Sequence, residues 1–140
     1  MKRSSLVVGA WALAGAAVLG TVAPAAAQGL EAGEYKVGFI TENTGPLAAA
    51  DMSFWQGAQL AAEEVKSTRY LGASSIVLEP KESSSDAARS IQAMNQFIGD
   101  RSVIAVSCCI LSGVAGSIKP IVLDQKMPLV IFGATATGLP

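Results

Sequence analysis

The sequence predicts an α/β fold: a parallel sheet with helices on both faces. Three observations predict it. Short runs of β-forming residues alternate with stretches of helical periodicity from Tyr35 onward, two of those runs are apolar without alternation, and the connections carry the Gly, Ser and Asp residues that separate such elements. An order of β-α-β-α-β-α-β implies parallel strands joined by right-handed crossovers.

Each element has its own warrant. Tyr35–Thr41 (YKVGFIT) alternates and is rich in β-formers, so it is expected as the first strand. The next stretch, Thr44–Gly57 (TGPLAAADMSFWQG), is small, apolar and nearly uncharged, unusual for a loop unless something covers it. From about Asp51 to Lys66, Phe54, Gly57, Ala58, Ala61 and Val65 recur at spacings of three and four and predict a first helix, with Trp55 as a packing residue. Ser74–Glu79 (SSIVLE) is expected as a second strand and Pro80–Ser85 as a polar loop, with Ser83 and Asp86 in the form of a capping box. Ala87, Ile91, Met94, Phe97 and Ile98 form the apolar face of a second helix that stops near Gly99. Ser102–Val106 (SVIAV) and Pro128–Phe132 (PLVIF) are the unalternating runs, and between them a third helix runs from near Ser112 towards Lys126, bent or interrupted at Pro120.

The N-terminus stands apart from this pattern. Lys2 and Arg3 precede an apolar run that ends in APAAAQ, where Ala25 and Ala27 supply an A-x-A site, so residues 1–27 read as a secretory signal peptide and 28–34 as a short lead. The rival reading is an uncleaved membrane anchor, against which the Ala and Gly richness, Pro24 and the A-x-A site all argue. Cleavage takes the formal charge from −1 to −3 and gives an exported, soluble, periplasmic domain.

Composition excludes several functions. The 140 residues contain no histidine, which rules out a Ser-His-Asp triad, a Cys-His pair and any His-containing zinc site within the chain. Ten basic residues against eleven acidic ones leave no basic excess, so nucleic acid is not an expected partner. Cys108 and Cys109 are adjacent, a spacing that ordinary disulfide geometry disfavours, and they read as two small buried side chains at a strand end. Glu63 and Glu64 point in different directions on a helix and make no acid-base pair, and Glu42 is a lone carboxylate at the rim. P-loop, G-x-G-x-x-G, G-x-S-x-G and metal-ligand patterns are absent, and neither a cofactor nor a catalytic residue is expected.

Binding is what remains. In doubly wound sheets ligands sit at the carboxyl ends of the strands, which here are followed by Glu42–Met52, Ser107–Gly113 and Gly133–Gly138. If Ser112 caps the third helix, its hydroxyl and the free N–H groups there would receive a carboxylate, although Ser112 serving only its own helix is the simpler alternative. In GATATG, Gly133 allows close backbone approach, and Thr135 and Thr137 offer hydroxyls, where a plain turn is the alternative.

Three segments in order, YKVGFITENTGPLAAADMSFWQGAQLAAEEV, LSGVAGSIKPIV and PLVIFGATAT, resemble the type I periplasmic solute-binding proteins of the leucine/isoleucine/valine-binding group, which serve branched-chain amino acid ABC transporters. The resemblance implies two α/β lobes closing on a ligand, with an amino acid or related small carboxylate or amide as solute and a membrane permease as partner. It implies that Ser112, with Leu111 and Gly113 beside it, holds the ligand carboxylate, that the Gly133 backbone meets the ligand, and that Thr135 contacts its amino group. Leu47–Ala50 would shape one wall, with Ala50 where some members carry an aromatic. Members of the group are much longer, so residues 35–140 are expected to be part of the first lobe, an N-terminal fragment that binds weakly or not at all alone. An extracellular ligand sensor is the rival from another class, and a downstream membrane span or signalling domain would favour it; an enzyme on the same sheet is a third reading, disfavoured by the missing histidine and nucleotide motifs.

Overall fold

The computed structural model describes residues 31–139. The expected signal peptide and the first residues of the lead lie outside that range. Seven elements follow in the anticipated order: β1 (Glu34–Thr41), α1 (Ala48–Ser67), β2 (Ser75–Glu82), α2 (Ala87–Gly99), β3 (Val103–Cys108), α3 (Ser112–Gln125) and β4 (Leu129–Ile131). The four strands form one parallel sheet in the order β2-β1-β3-β4. The chain therefore steps one way from β1 to β2 and the other way through β3 to β4, which puts the topological switch point between β1 and β3.

Helices cover both faces, unequally. Gly38, Ile40, Val106 and Cys108 face α2 and α3, and the core lies there, built from Ile40, Ala93, Met94, Phe97, Val103, Val106, Val114, Ala115, Ile118 and Val122 with both cysteines. A Cβ on Gly38 would come within 2.9 Å of the fully buried Phe97 ring, so α2 sits this close to β1 only because residue 38 is glycine. Val37 and Phe39, on the opposite face by strand alternation, meet Ala58, Ala62 and Val65 of α1 around a cleft of about 250 Å³. The cleft extends to Val130 of β4, where this face is open and the side chain is 60% exposed.

Several elements differ from expectation for identifiable reasons. β2 continues through Pro80 to Glu82 instead of ending at Glu79. Ser75 N–H donates to Gly33 and Ser83 N–H to Thr41, so the odd-numbered residues of β2 donate to β1 and the even-numbered ones point their N–H outward. Pro80 is even-numbered and β2 is an edge strand, so its missing N–H costs the ladder nothing. Asp86 is itself the N-cap of α2, accepting from Arg89 N–H at 2.8 Å, while the Ser83 hydroxyl donates to Thr41 O at 3.1 Å; the two do not form a capping box. α3 runs unbroken through Pro120, which is exposed, as is Gly116 four residues earlier. α1 begins at Ala48, so the connection after β1 shortens to Glu42–Leu47, and its sheet-facing side is Asp51, Trp55, Ala58, Ala62 and Val65, with Phe54 40% exposed.

The cysteines are buried as expected but are not two separate thiols: Cys108 and Cys109 are joined in a disulfide. β3 ends at Cys108, and with φ of 151° at Cys109 the strand's alternation lapses, so both side chains turn into the same packed space.

Candidate functional site

The carboxyl ends of β1, β3 and β4 lie side by side, because Phe39 pairs with Ser107 and Ser107 with Val130. Their three following segments therefore meet at one edge of the sheet. The joins are direct: Phe132 N–H donates to Cys108 O, and the N–H groups of Gly133 and Ala134 both donate to Cys109 O, at 3.1 to 3.2 Å. A Cβ at Gly133 would fall 3.1 Å from Ile110 Cα, so the glycine there lets two loops touch, in addition to any room it gives a ligand.

Ser112 links the same two loops. It is not the cap of α3, as the sequence suggested; Leu111 is the N-cap residue, in extended conformation, and Ser112 is the first residue of the helix. The first helical bond runs from Ala115 N to Leu111 O, which leaves the N–H groups of Ser112, Gly113 and Val114 without intrahelical acceptors. The Ser112 hydroxyl oxygen accepts from Thr135 N–H at 3.2 Å and Ala136 N–H at 3.1 Å. A hydroxyl has two acceptor sites and one proton, so with both sites taken it can only donate. A helix N-terminus with free N–H groups and a donating hydroxyl suits a carboxylate or another small acceptor group.

The other expected positions are distributed unevenly. Thr135 is exposed directly opposite Ser112, and Gly113 is exposed in the first turn of α3 with open space where a side chain would stand. Leu111 is half-buried against the core. Ala50 is exposed in the first turn of α1, on a helix and not on a loop, and no hydrogen bond ties it to the Ser112–Thr135 junction.

Two features of this edge escaped the sequence reading. Phe132 stacks on Phe39 with centroids 5.1 Å apart and lies 4.8 Å from Phe54, while Trp55 meets Phe39 edge-on at 5.1 Å. This aromatic group sits beside the loops; its members come from β1, α1 and the segment after β4, and no linear spacing announces it. The second is Glu82, whose carboxylate accepts the N–H groups of Asn43, Thr44 and Ser84 and the hydroxyls of Thr44 and Ser84. Burial acts to raise its pKa, but these donors outweigh it and hold the carboxyl below its ordinary value. The β1–α1 loop is thereby pinned to the end of β2.

Among the described residues, no three of His, Cys, Asp or Glu converge to hold a metal ion, and no helix is long and apolar enough to cross a membrane.

Comparison with known proteins places this arrangement. Residues 34–140 match the family described as periplasmic binding protein. Among solved structures, the isoleucine complex of the branched-chain amino acid transporter substrate-binding protein LivJ from Streptococcus pneumoniae is 28% identical, with a TM-score of 0.69 over 76% of this chain and 30% of its own. A putative branched-chain amino acid ABC transporter protein from Rhodospirillum rubrum gives a TM-score of 0.73 at 21% identity, over 76% of this chain and 31% of its own. A solute-binding protein from R. palustris in complex with 4-hydroxybenzoate gives 0.65 at 20% identity, over 76% and 28%. The chain thus spans about 30% of the length of the structures it resembles. No curated protein matches the sequence. The parallel sheet, its switch-point edge and the match over residues 34–140 lead to one conclusion: the chain belongs to the periplasmic binding protein family, with part of a type I lobe as its fold.

Proposed function

We infer that the chain contributes the first-lobe half of a ligand cleft in the substrate-binding component of an ABC transporter, for branched-chain amino acids or related small carboxylates and amides. The observation that carries this is the Ser112 hydroxyl, committed to donation by Thr135 and Ala136 at the open N-terminus of α3. Such a site binds an acceptor group without reacting with it, and the solved relatives are named as solute-binding proteins, not enzymes. Ser112, Gly113 and Leu111 are the carboxylate end of the site in this reading, Gly133 and Thr135 its second side, and Ala50 lies at the mouth. Closure of a second lobe over the cleft would exclude water, and a permease in the membrane would receive the solute. Residues 1–27 serve as the export signal, which puts the protein in the periplasm.

The test is calorimetric titration of the complete gene product with leucine, isoleucine, valine, small amides and aromatic acids. One ligand class is expected to bind, and Ser112→Ala is expected to weaken it about 10- to 100-fold, the worth of one hydrogen bond to a charged group. Undiminished binding by Ser112→Ala, or no binding by any member of the panel, overturns the reading.

A further inference from the structure

Two carboxylates lie buried where the β1–α1 loop meets the rest of the fold. Glu42 is 2% exposed and Asp51 1%. Each makes a single hydrogen bond: Asp51 Oδ2 accepts from Glu42 N–H at 2.8 Å, and Glu42 Oε2 accepts from the Ser85 hydroxyl at 2.5 Å. The remaining oxygens, Glu42 Oε1 and Asp51 Oδ1, are buried without any partner. The charged groups on the neighbouring elements do not compensate them. Glu82, at the end of β2, adds a third negative charge, Lys81 of β2 is paired with Glu79, and the Arg89 guanidinium of α2 donates to Ser84. Buried anions without a counter-charge are neutralised by taking up a proton or a metal ion. A hard cation needs six or more oxygen ligands, and no three ligating side chains meet here among the described residues, whereas a proton needs only one of these two orphan oxygens.

We propose that the buried Asp51 carboxyl holds a proton in the folded chain, and that in this neutral form it keeps the β1–α1 loop fastened to α1. Protonation at Asp51 Oδ1 turns an orphan acceptor into a donor and removes one buried negative charge. Burial pushes the Asp51 carboxyl up from its ordinary 3.8, the Glu42 N–H bond opposes this, and the Glu82 charge adds to it. A raised folded pKa means that the folded chain binds more protons than the unfolded one, so this contribution is complete below about pH 4 and is lost as pH rises through the folded value. Glu82 and Asp100 are shifted the other way, so their contributions are present above their ordinary values of 4.5 and 3.8 and are lost only on acidification.

Thermal unfolding of the full-length protein tests this between about pH 5 and pH 8. The wild type is expected to lose about 2–4 °C in Tm over that range, while Asp51→Asn, which keeps the acceptor for Glu42 N–H, loses less and is the more stable form at the upper end. Infrared spectroscopy on the wild type needs no variant: a protonated-carboxyl band is expected in the folded protein at about pH 5, where an exposed aspartate is ionised, and absent after unfolding. Equal pH slopes in wild type and Asp51→Asn, or no such band, overturn the proposal. So does a rise in Tm with added calcium that Asp51→Asn abolishes, because a metal ion would then occupy the pair.

Discussion

At the scale of single residues, the fold turns on places where one atom more would not fit. Gly38 is the clearest, because its missing Cβ is the space that the Phe97 ring fills from α2. Gly38→Ala is expected to destabilise the protein by about 1–3 kcal/mol, seen as a lower midpoint in urea unfolding with an unchanged slope. Nothing in YKVGFIT distinguishes this glycine from an ordinary weak point in a strand; the need for it arises only when Phe97 of α2, 59 residues downstream, packs on it. Ser112 shows the reverse. Its residue type and its position near a helix start were legible, but its acceptor role was not, because the donors Thr135 and Ala136 come from beyond the next strand. The Cys108–Cys109 bond was missed for a third reason: ordinary disulfide geometry disfavours a bond between neighbours, and no residue type near them announces the positive φ that Cys109 adopts.

At the scale of elements, existence and type were readable and boundaries were not. All seven elements appear in the expected order, because apolar runs of period two and stripes of period three to four are written locally in the chain. The boundaries that moved are those set by partners. α1 starts earlier because the Asp51 N–H finds Leu47 O, and β1 carried β2 past a proline that looks like a stop. The rotation of α1, which buries Trp55 in part and leaves Phe54 exposed, likewise depends on Phe39 and Phe132, which the helix sequence cannot reveal. The cap of α2 gives an element-scale prediction. Asp86→Ala removes the acceptor for Arg89 N–H and is expected to cost about 1 kcal/mol, measured by denaturant unfolding, whereas Asp86→Ser costs only a fraction of that.

At the scale of the whole molecule, one face is complete and the other is not. α2 and α3 close the core on their side, while α1 packs on β1 and β2, leaving Val130 of β4 at 60% exposure. An apolar sheet face of this kind associates with whatever can cover it. Residues 28–140 produced alone are therefore expected to bind a hydrophobic dye and to self-associate in sedimentation experiments, and Val130→Lys is expected to reduce both. Dye binding and self-association that Val130→Lys leaves unchanged would place the adhesive surface elsewhere.

The two margins of the sheet are not equivalent. Along β2 the outward row of N–H groups is interrupted at Pro80, so a strand arriving there finds a gap in the middle of its would-be ladder. Along β4 there is no proline, and Leu129–Ile131 presents an unbroken edge. Addition to this sheet thus has a permitted direction. One proline on the opposite border acts as a valve: whatever strand joins this protein, from its own chain or from another, is steered to the side of β4.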